Sequence, residues 1–123
     1  MTDANATDAS RRLSQRLAAI LDYFERAGFA RREPRLLQPA GVFLDRAGED
    51  FRGRLYLTSD ASGAELCLRP EYTIPICLDY LAGRNGPAAL AYGGSIFRAP
   101  EHGGTGHGEF LQAGIESFGR TDR

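Results

Sequence analysis

The sequence predicts a mixed α/β domain in which helices flank a largely antiparallel sheet. Three observations predict it. An amphipathic helix opens the chain, two short apolar runs at residues 55–58 and 65–68 face each other across a polar turn, and two longer strand-like runs at 89–98 and 109–118 flank a glycine-rich loop. A chain of 123 residues with 42% hydrophobic and 25% charged residues is ordinary for one globular domain, and excludes a wholly disordered or fibrous chain.

The elements follow in order. Residues 1–9 are small and polar and are expected to form a flexible amino terminus. From Ser10, Leu13, Leu17, Ile20, Leu21 and Phe24 recur at three- and four-residue intervals, the stripe of a helix ending at Gly28, with Arg11, Arg12, Gln15, Asp22 and Arg26 in water. Pro34 forbids a longer helix, so residues 35–38 read as a short strand stopped by Pro39. Val42, Phe43 and Leu44 form an apolar anchor before a solvated turn at 45–50. After the hairpin at 55–68, residues 72–81 read as a helix with Pro75 in its first turn, ended by Gly83, Asn85, Gly86 and Pro87. The loop at 99–108 is longer than a hairpin needs, and such loops are commonly functional or disordered.

Fifteen basic residues against sixteen acidic ones leave a net charge of −1, so no strong polyanion partner is implied; every basic residue is arginine, an excess that reads as codon bias. No run reaches the roughly 18 apolar residues of a membrane span, and the polar, acidic start does not resemble a secretory signal; a cytoplasmic location is expected. Cys67 and Cys77 form no CxxC pair and have no nearby histidine cluster, so they read as reduced thiols rather than metal ligands.

Chemistry is concentrated in the last third. Alternate strand residues share a face, so Gln112 and Glu116 point the same way with Gly114 between them, a polar recess able to take an ammonium group and offer it an amide. Leu111, Ala113 and Ile115 should then face the core. Glu116 could equally pair with an arginine or sit at a wet edge. Arg98 ends the preceding strand, where it can reach a carboxylate or phosphate or simply lie in solvent. Glu71 either caps the following helix or accepts an ammonium group. His102 and His107 lack the partners of a triad or a metal site, and no phosphate-binding glycine loop opens a helix.

The segments QPAGVFLDRAGEDFRGRLYLTSDASGAELCLRPEYTIPIC, YGGSIFR and EFLQAGIESFGR, in that order and spacing, resemble the histidyl-tRNA synthetase-like group of class II aminoacyl-tRNA synthetase catalytic domains. Within that group they are most similar to the regulatory subunits of ATP phosphoribosyltransferase. The resemblance spans about residues 10–120 and implies a partial class II-like domain over 10–123. It makes the opening helix and residues 36–39 the first class II motif, a self-association region. It makes Arg98, the loop and residues 110–116 the second motif. It also assigns Glu71, Thr73, Gln112 and Glu116 to the α-amino end of histidine and Arg98 to its carboxylate and the ATP α-phosphate.

Departures from the synthetase pattern point away from catalysis. Pro100 stands where the synthetases usually carry glutamate, and residues 99–108 contain no arginine or lysine to hold a triphosphate. The third motif is not found, so the chain is expected to be an amino-terminal portion with an unfinished sheet edge. The implied function is a non-catalytic regulatory subunit that joins a short-form ATP phosphoribosyltransferase catalytic subunit and helps convey histidine feedback. No cofactor, metal or nucleic acid is expected. The alternative is a histidyl-tRNA synthetase fragment that activates histidine with ATP.

Overall fold

The computed structural model describes residues 4–83, 86–100 and 108–119. They form helices α1 (Ala4–Arg26), α2 (Ala40–Ala47) and α3 (Thr73–Gly83), a 3-10 turn (Glu49–Arg54), and strands β1 (Ala30–Arg31), β2 (Leu37–Pro39), β3 (Leu57–Ser59), β4 (Glu65–Leu68), β5 (Ala88–Phe97) and β6 (Glu109–Phe118). Two three-stranded sheets result, ordered β1-β5-β6 and β2-β4-β3. The chain divides into two compact units, the first Met1–Arg32, Gly86–Gly94 and Ala113–Arg123, the second Glu33–Asn85 and Ser95–Gln112.

In the first unit, α1 begins at Ala4 rather than Ser10, so it takes in residues 4–9 that composition marked for fraying. Ala4, Ala6 and Ala9 supply the best helix propensity there. Its end falls where the sequence placed it. Gly28 has φ +100, Gly28 N–H donates to Glu25 O (3.1 Å) and Phe29 N–H to Phe24 O (3.0 Å), the paired bonds of a Schellman motif. The polar positions Arg11, Arg12, Gln15, Asp22 and Arg26 are exposed as expected.

The apolar stripe of α1 is used on one flank only. Leu21 is buried, Leu17 and Phe24 are half-buried or partly so, while Leu13 and Ile20 are exposed. Helical rotation places Leu17 and Leu21 on one side of the stripe and Ile20 on the other. Leu17 and Leu21 reach β5 at Gly93, where an added Cβ would lie 2.9 Å from Leu17 Cδ1 and 3.0 Å from Leu21 Cδ2. The two-residue strand β1, too short for a sequence pattern, runs parallel to β5 with Ala30 opposite Leu90 and Arg31 opposite Ala91.

In the second unit, β4 is central and antiparallel to both neighbours, with Cys67 opposite Gln38 on one side and Leu57 on the other. The hairpin therefore forms as the sequence predicts. Its turn is tied by the Asp60 carboxylate, which accepts from Ser62 N–H (2.8 Å), Ser62 Oγ–H (2.6 Å) and Ala64 N–H (3.0 Å), while Gly63 takes φ +87. The core joins Ala40, Phe43, Leu44, Leu55 and Cys67, with Val42, Phe51 and Ile74 packed against it. Burial pushes the Cys67 thiol up to about 11, with the negative charge of Glu65 adding to it.

Two local expectations are corrected here. β2 begins at Leu37 rather than Arg35 and takes in Pro39 as its last residue, paired opposite Leu66, which an edge strand tolerates because the missing N–H faces away from β4. The anchor at 42–44 is the middle of α2, which runs into the segment expected as a solvated turn before Gly48, at φ +91, ends it. Eight residues are too few for periodicity to distinguish from an apolar patch. Among the described residues, no helix is long and apolar enough to cross a membrane.

Candidate functional site

The second unit brings three of the expected site residues around one peptide. Glu71 lies just before α3, and its carboxylate accepts from the Thr73 N–H and from the Ile74 N–H (2.9 Å), the first two amides of the helix. These amides have no carbonyl partner within a helix, and a negative charge there also meets the positive end of the helix dipole. Capping is thus the role the geometry gives Glu71. Pro75 follows in the first turn, where its lack of an N–H costs nothing.

Between Glu71 and Thr73, Tyr72 is fully buried and its N–H donates to Gln112 Oε1 at 3.0 Å, joining the start of α3 to β6. Only the carbonyl end of a carboxamide can accept that proton, so the bond fixes which way the Gln112 side chain is turned. Its NH2 group is left as the donor end, making no hydrogen bond among the described residues.

Arg98 follows the end of β5. Its N–H donates to Gly108 O (2.8 Å), and the next residue is tied twice to Arg54: Ala99 N–H donates to Arg54 O (2.8 Å), and Arg54 Nε–H donates to Ala99 O (2.6 Å). Gly108 is buried, and a side chain there would overlap the Arg98 carbonyl and the Tyr56 ring. The Arg98 Nε is buried without a hydrogen-bond partner among the described residues. A guanidinium N–H in that state is costly until an acceptor reaches it, which suits an anionic ligand.

Glu116 belongs to the first unit. Tyr92 of β5 lies against Gly114, where an added Cβ would be 2.5 Å from the phenol oxygen, and the Tyr92 hydroxyl sits 3.5 Å from Glu116 Oε1. The recess expected at Gly114 is therefore occupied by a tyrosine ring. Sequence reasoning missed Tyr92 because the register of the β5–β6 hairpin was unknown. The Arg98–Gly108 bond sets it, and counting back along both strands puts Tyr92 opposite Gly114.

The opposite face of β6 is also corrected. Leu111 and Ile115 are exposed and Ala113 is half-buried, so they are not core; among the described residues no layer packs over them. His102 and His107 lie outside the described residues. No group of three histidine, cysteine, aspartate or glutamate side chains able to hold a metal occurs among those described. A groove of about 890 Å³ opens elsewhere in the second unit, beside β2 and α3, lined by Leu36, Leu37, Gln38, Asp60, Leu78 and Asp79 among others. None of the five expected site residues lines it, and it is not where the Glu71 cap, the Gln112 carboxamide and the buried Arg98 Nε are found.

The family described as histidyl-tRNA synthetase matches residues 2–123. The chain belongs to that histidyl-tRNA synthetase family. A protein of Allorhizobium ampelinum named ATP phosphoribosyltransferase regulatory subunit is 49% identical over 102 residues, covering 82% of this chain and 27% of that protein. One of the same name from Chelativorans sp. is 46% identical over 107 residues, covering 86% and 28%. A crystal structure described as an ATP phosphoribosyltransferase regulatory subunit/histidyl-tRNA synthetase from Bacillus halodurans superposes with a TM-score of 0.65 at 25% identity, over 94% of this chain and 30% of that one. The resemblance and the fold class expected from the sequence are both found: a mixed α/β arrangement of the histidyl-tRNA synthetase-like, class II type, of which this chain is an incomplete part. The chain spans a little over a quarter of the length of these relatives.

Proposed function

We propose that the chain is the amino-terminal part of a regulatory subunit of ATP phosphoribosyltransferase. It would lack catalysis of its own and support the first step of histidine biosynthesis by joining a short-form catalytic subunit, a glycosyltransferase, in the cytoplasm. Near-half identity to regulatory subunits over more than four-fifths of the chain carries the reading. The stretch opposite the triphosphate in the sequence resemblance agrees with it, since residues 99–108 hold no arginine or lysine to stabilise charge on phosphoryl oxygens.

The same reading gives the second unit a ligand. Histidine would place its carboxylate at the buried Arg98 Nε, with its amino end toward Glu71, Thr73 and Gln112. Glu116 joins this set through the sequence resemblance alone. Feedback then requires only that histidine bind one assembly state more tightly than another. Self-association would involve the opening helix and residues 36–39.

Two measurements on the full-length protein decide the matter. Added to a short-form catalytic subunit, it should switch on phosphoribosyl transfer to ATP, and histidine should suppress that activity. The rival, histidine activation by a synthetase, is favoured by the family description and predicts robust histidine-dependent exchange of pyrophosphate into ATP. Such exchange without any effect on the catalytic subunit refutes the regulatory reading. Gln112→Ala should weaken histidine by about 1–3 kcal/mol in calorimetry, the cost of a buried polar contact left unmade; equal affinity in variant and parent places the ligand elsewhere.

A further inference from the structure

We propose that Arg69, a residue outside the expected site, is the positioning residue that aims Gln112. Arg69 is a charged side chain buried to 6% exposure within the second unit. An arginine is placed that deep only where its donors are met and its charge is answered. Here Nε–H donates to Ser95 O (2.8 Å), an NH1 proton goes to Pro34 O (3.1 Å), and Glu33 Oε1 stands 3.4 Å from the same nitrogen. The guanidinium carbon lies 4.5 Å from the centre of the Tyr72 ring, the geometry of a cation–π contact.

Its main chain is tied on both sides as well. Arg69 N–H donates to Leu36 O (2.9 Å) and its carbonyl accepts from Phe97 N–H (2.9 Å). Arg69 therefore holds three things in register: the approach to β2, the end of β5 that precedes Arg98, and the ring of Tyr72. The last matters most for the site, because the Tyr72 N–H is the donor that turns the Gln112 carboxamide. If the ring is free to tilt, the peptide at the start of α3 moves with it and Gln112 loses the bond that leaves its NH2 as the donor end. A planar guanidinium stacked on an aromatic face is not reproduced by lysine, which has a compact charge on a flexible stem.

The first test rests on the histidine reading and uses full-length protein with L-histidine as the probe in calorimetry. Arg69→Met should weaken histidine about tenfold, and Gln112→Ala likewise. Because both act on one contact, the double variant should be weakened about tenfold and not about a hundredfold. An additive, hundredfold loss overturns the proposal, as does an Arg69→Met protein with unchanged affinity. Arg69→Lys keeps a charge inside the unit and serves where the methionine variant fails to fold; it should fold and still lose histidine affinity.

The second test needs no ligand and separates failure of this proposal from failure of the histidine reading. In the unliganded protein, Arg69→Lys should shift the Gln112 side-chain NH2 resonances and speed hydrogen exchange at the Tyr72 amide. Unchanged resonances and exchange overturn the positioning role even if histidine binds. If histidine does not bind the parent, the ligand reading falls, while shifted resonances still uphold the link from Arg69 to Gln112.

Discussion

In the first unit, α1 meets β5 through one apolar flank, with Leu17 and Leu21 pressed onto Gly93, and Leu13, Ile20 and Tyr23 left exposed. In the second, Phe43, Leu44 and Leu55 close over Cys67, and a buried arginine binds two carbonyls and an aromatic ring. The helix–strand contact in the first is one of shape, whereas in the second shape is joined by directional polar bonds to a buried charge. Directional bonds are what a binding group needs, because they fix a donor or acceptor in place before a ligand arrives. The capped helix start, the oriented carboxamide and the Arg98 Nε, without a hydrogen-bond partner among the described residues, all lie in the second unit.

Phe43 is buried in the core of the second unit. Removing a fully buried ring should cost about 3–5 kcal/mol, a large share of the roughly 5–15 kcal/mol that holds a domain together. Phe43→Ala is therefore expected to unfold the second unit first, read by loss of slow-exchanging amides in β4 before those in β5 near Gly93. Simultaneous loss of both sets would show that the units melt as one. A smaller effect tests the shape-held unit: Gly93→Val must displace Leu17 and Leu21 and should cost about 1–3 kcal/mol in a denaturant titration. Gly41→Ala, in the first turn of α2 with nothing within 4 Å of the added methyl, should instead be neutral or gain at most about 0.5–1 kcal/mol. Equal losses at the two glycines would mean that close packing is not what holds α1 to β5.

Local and long-range contacts differ in how far the sequence alone reveals them. Periodicity and turn chemistry located α1, the β3–β4 hairpin, α3 and the two long strands, because each is a local pattern of apolar spacing and punctuation. The Asp60–Gly63 turn and the Gly28 cap are local as well. What escaped was set by contacts distant in sequence. β1 exists only because β5 accepts it. Tyr92 enters the recess only because the hairpin register puts it opposite Gly114. The face of Leu111 and Ile115 is exposed because no described layer packs there, and alternation alone cannot say which of two faces is covered. Among the site residues, Glu71 was legible as a cap from its place before a helix, whereas the Gln112 bond to Tyr72 spans forty residues and could not be read from the sequence.

The smallest effect concerns the turn that shapes the β3–β4 hairpin. The Ser62 hydroxyl, then the Ala64 and Ser62 amides, hold the Asp60 carboxyl below its ordinary value. A group whose folded pKa is depressed binds its proton more weakly in the folded state, so it contributes stability above its unfolded value, near 3.9. That contribution is lost as the pH falls through the lower, folded value. Stability of the second unit should thus decline modestly below about pH 4, because the turn is exposed and its bonds are shared with water. Asp60→Ala should flatten this limb of the pH profile while lowering the urea midpoint slightly at neutral pH, and exchange protection at Ala64 should fall with it. A profile unchanged by the substitution would assign the acid sensitivity to another carboxylate and leave the hairpin held by its strand pairing and Gly63 alone.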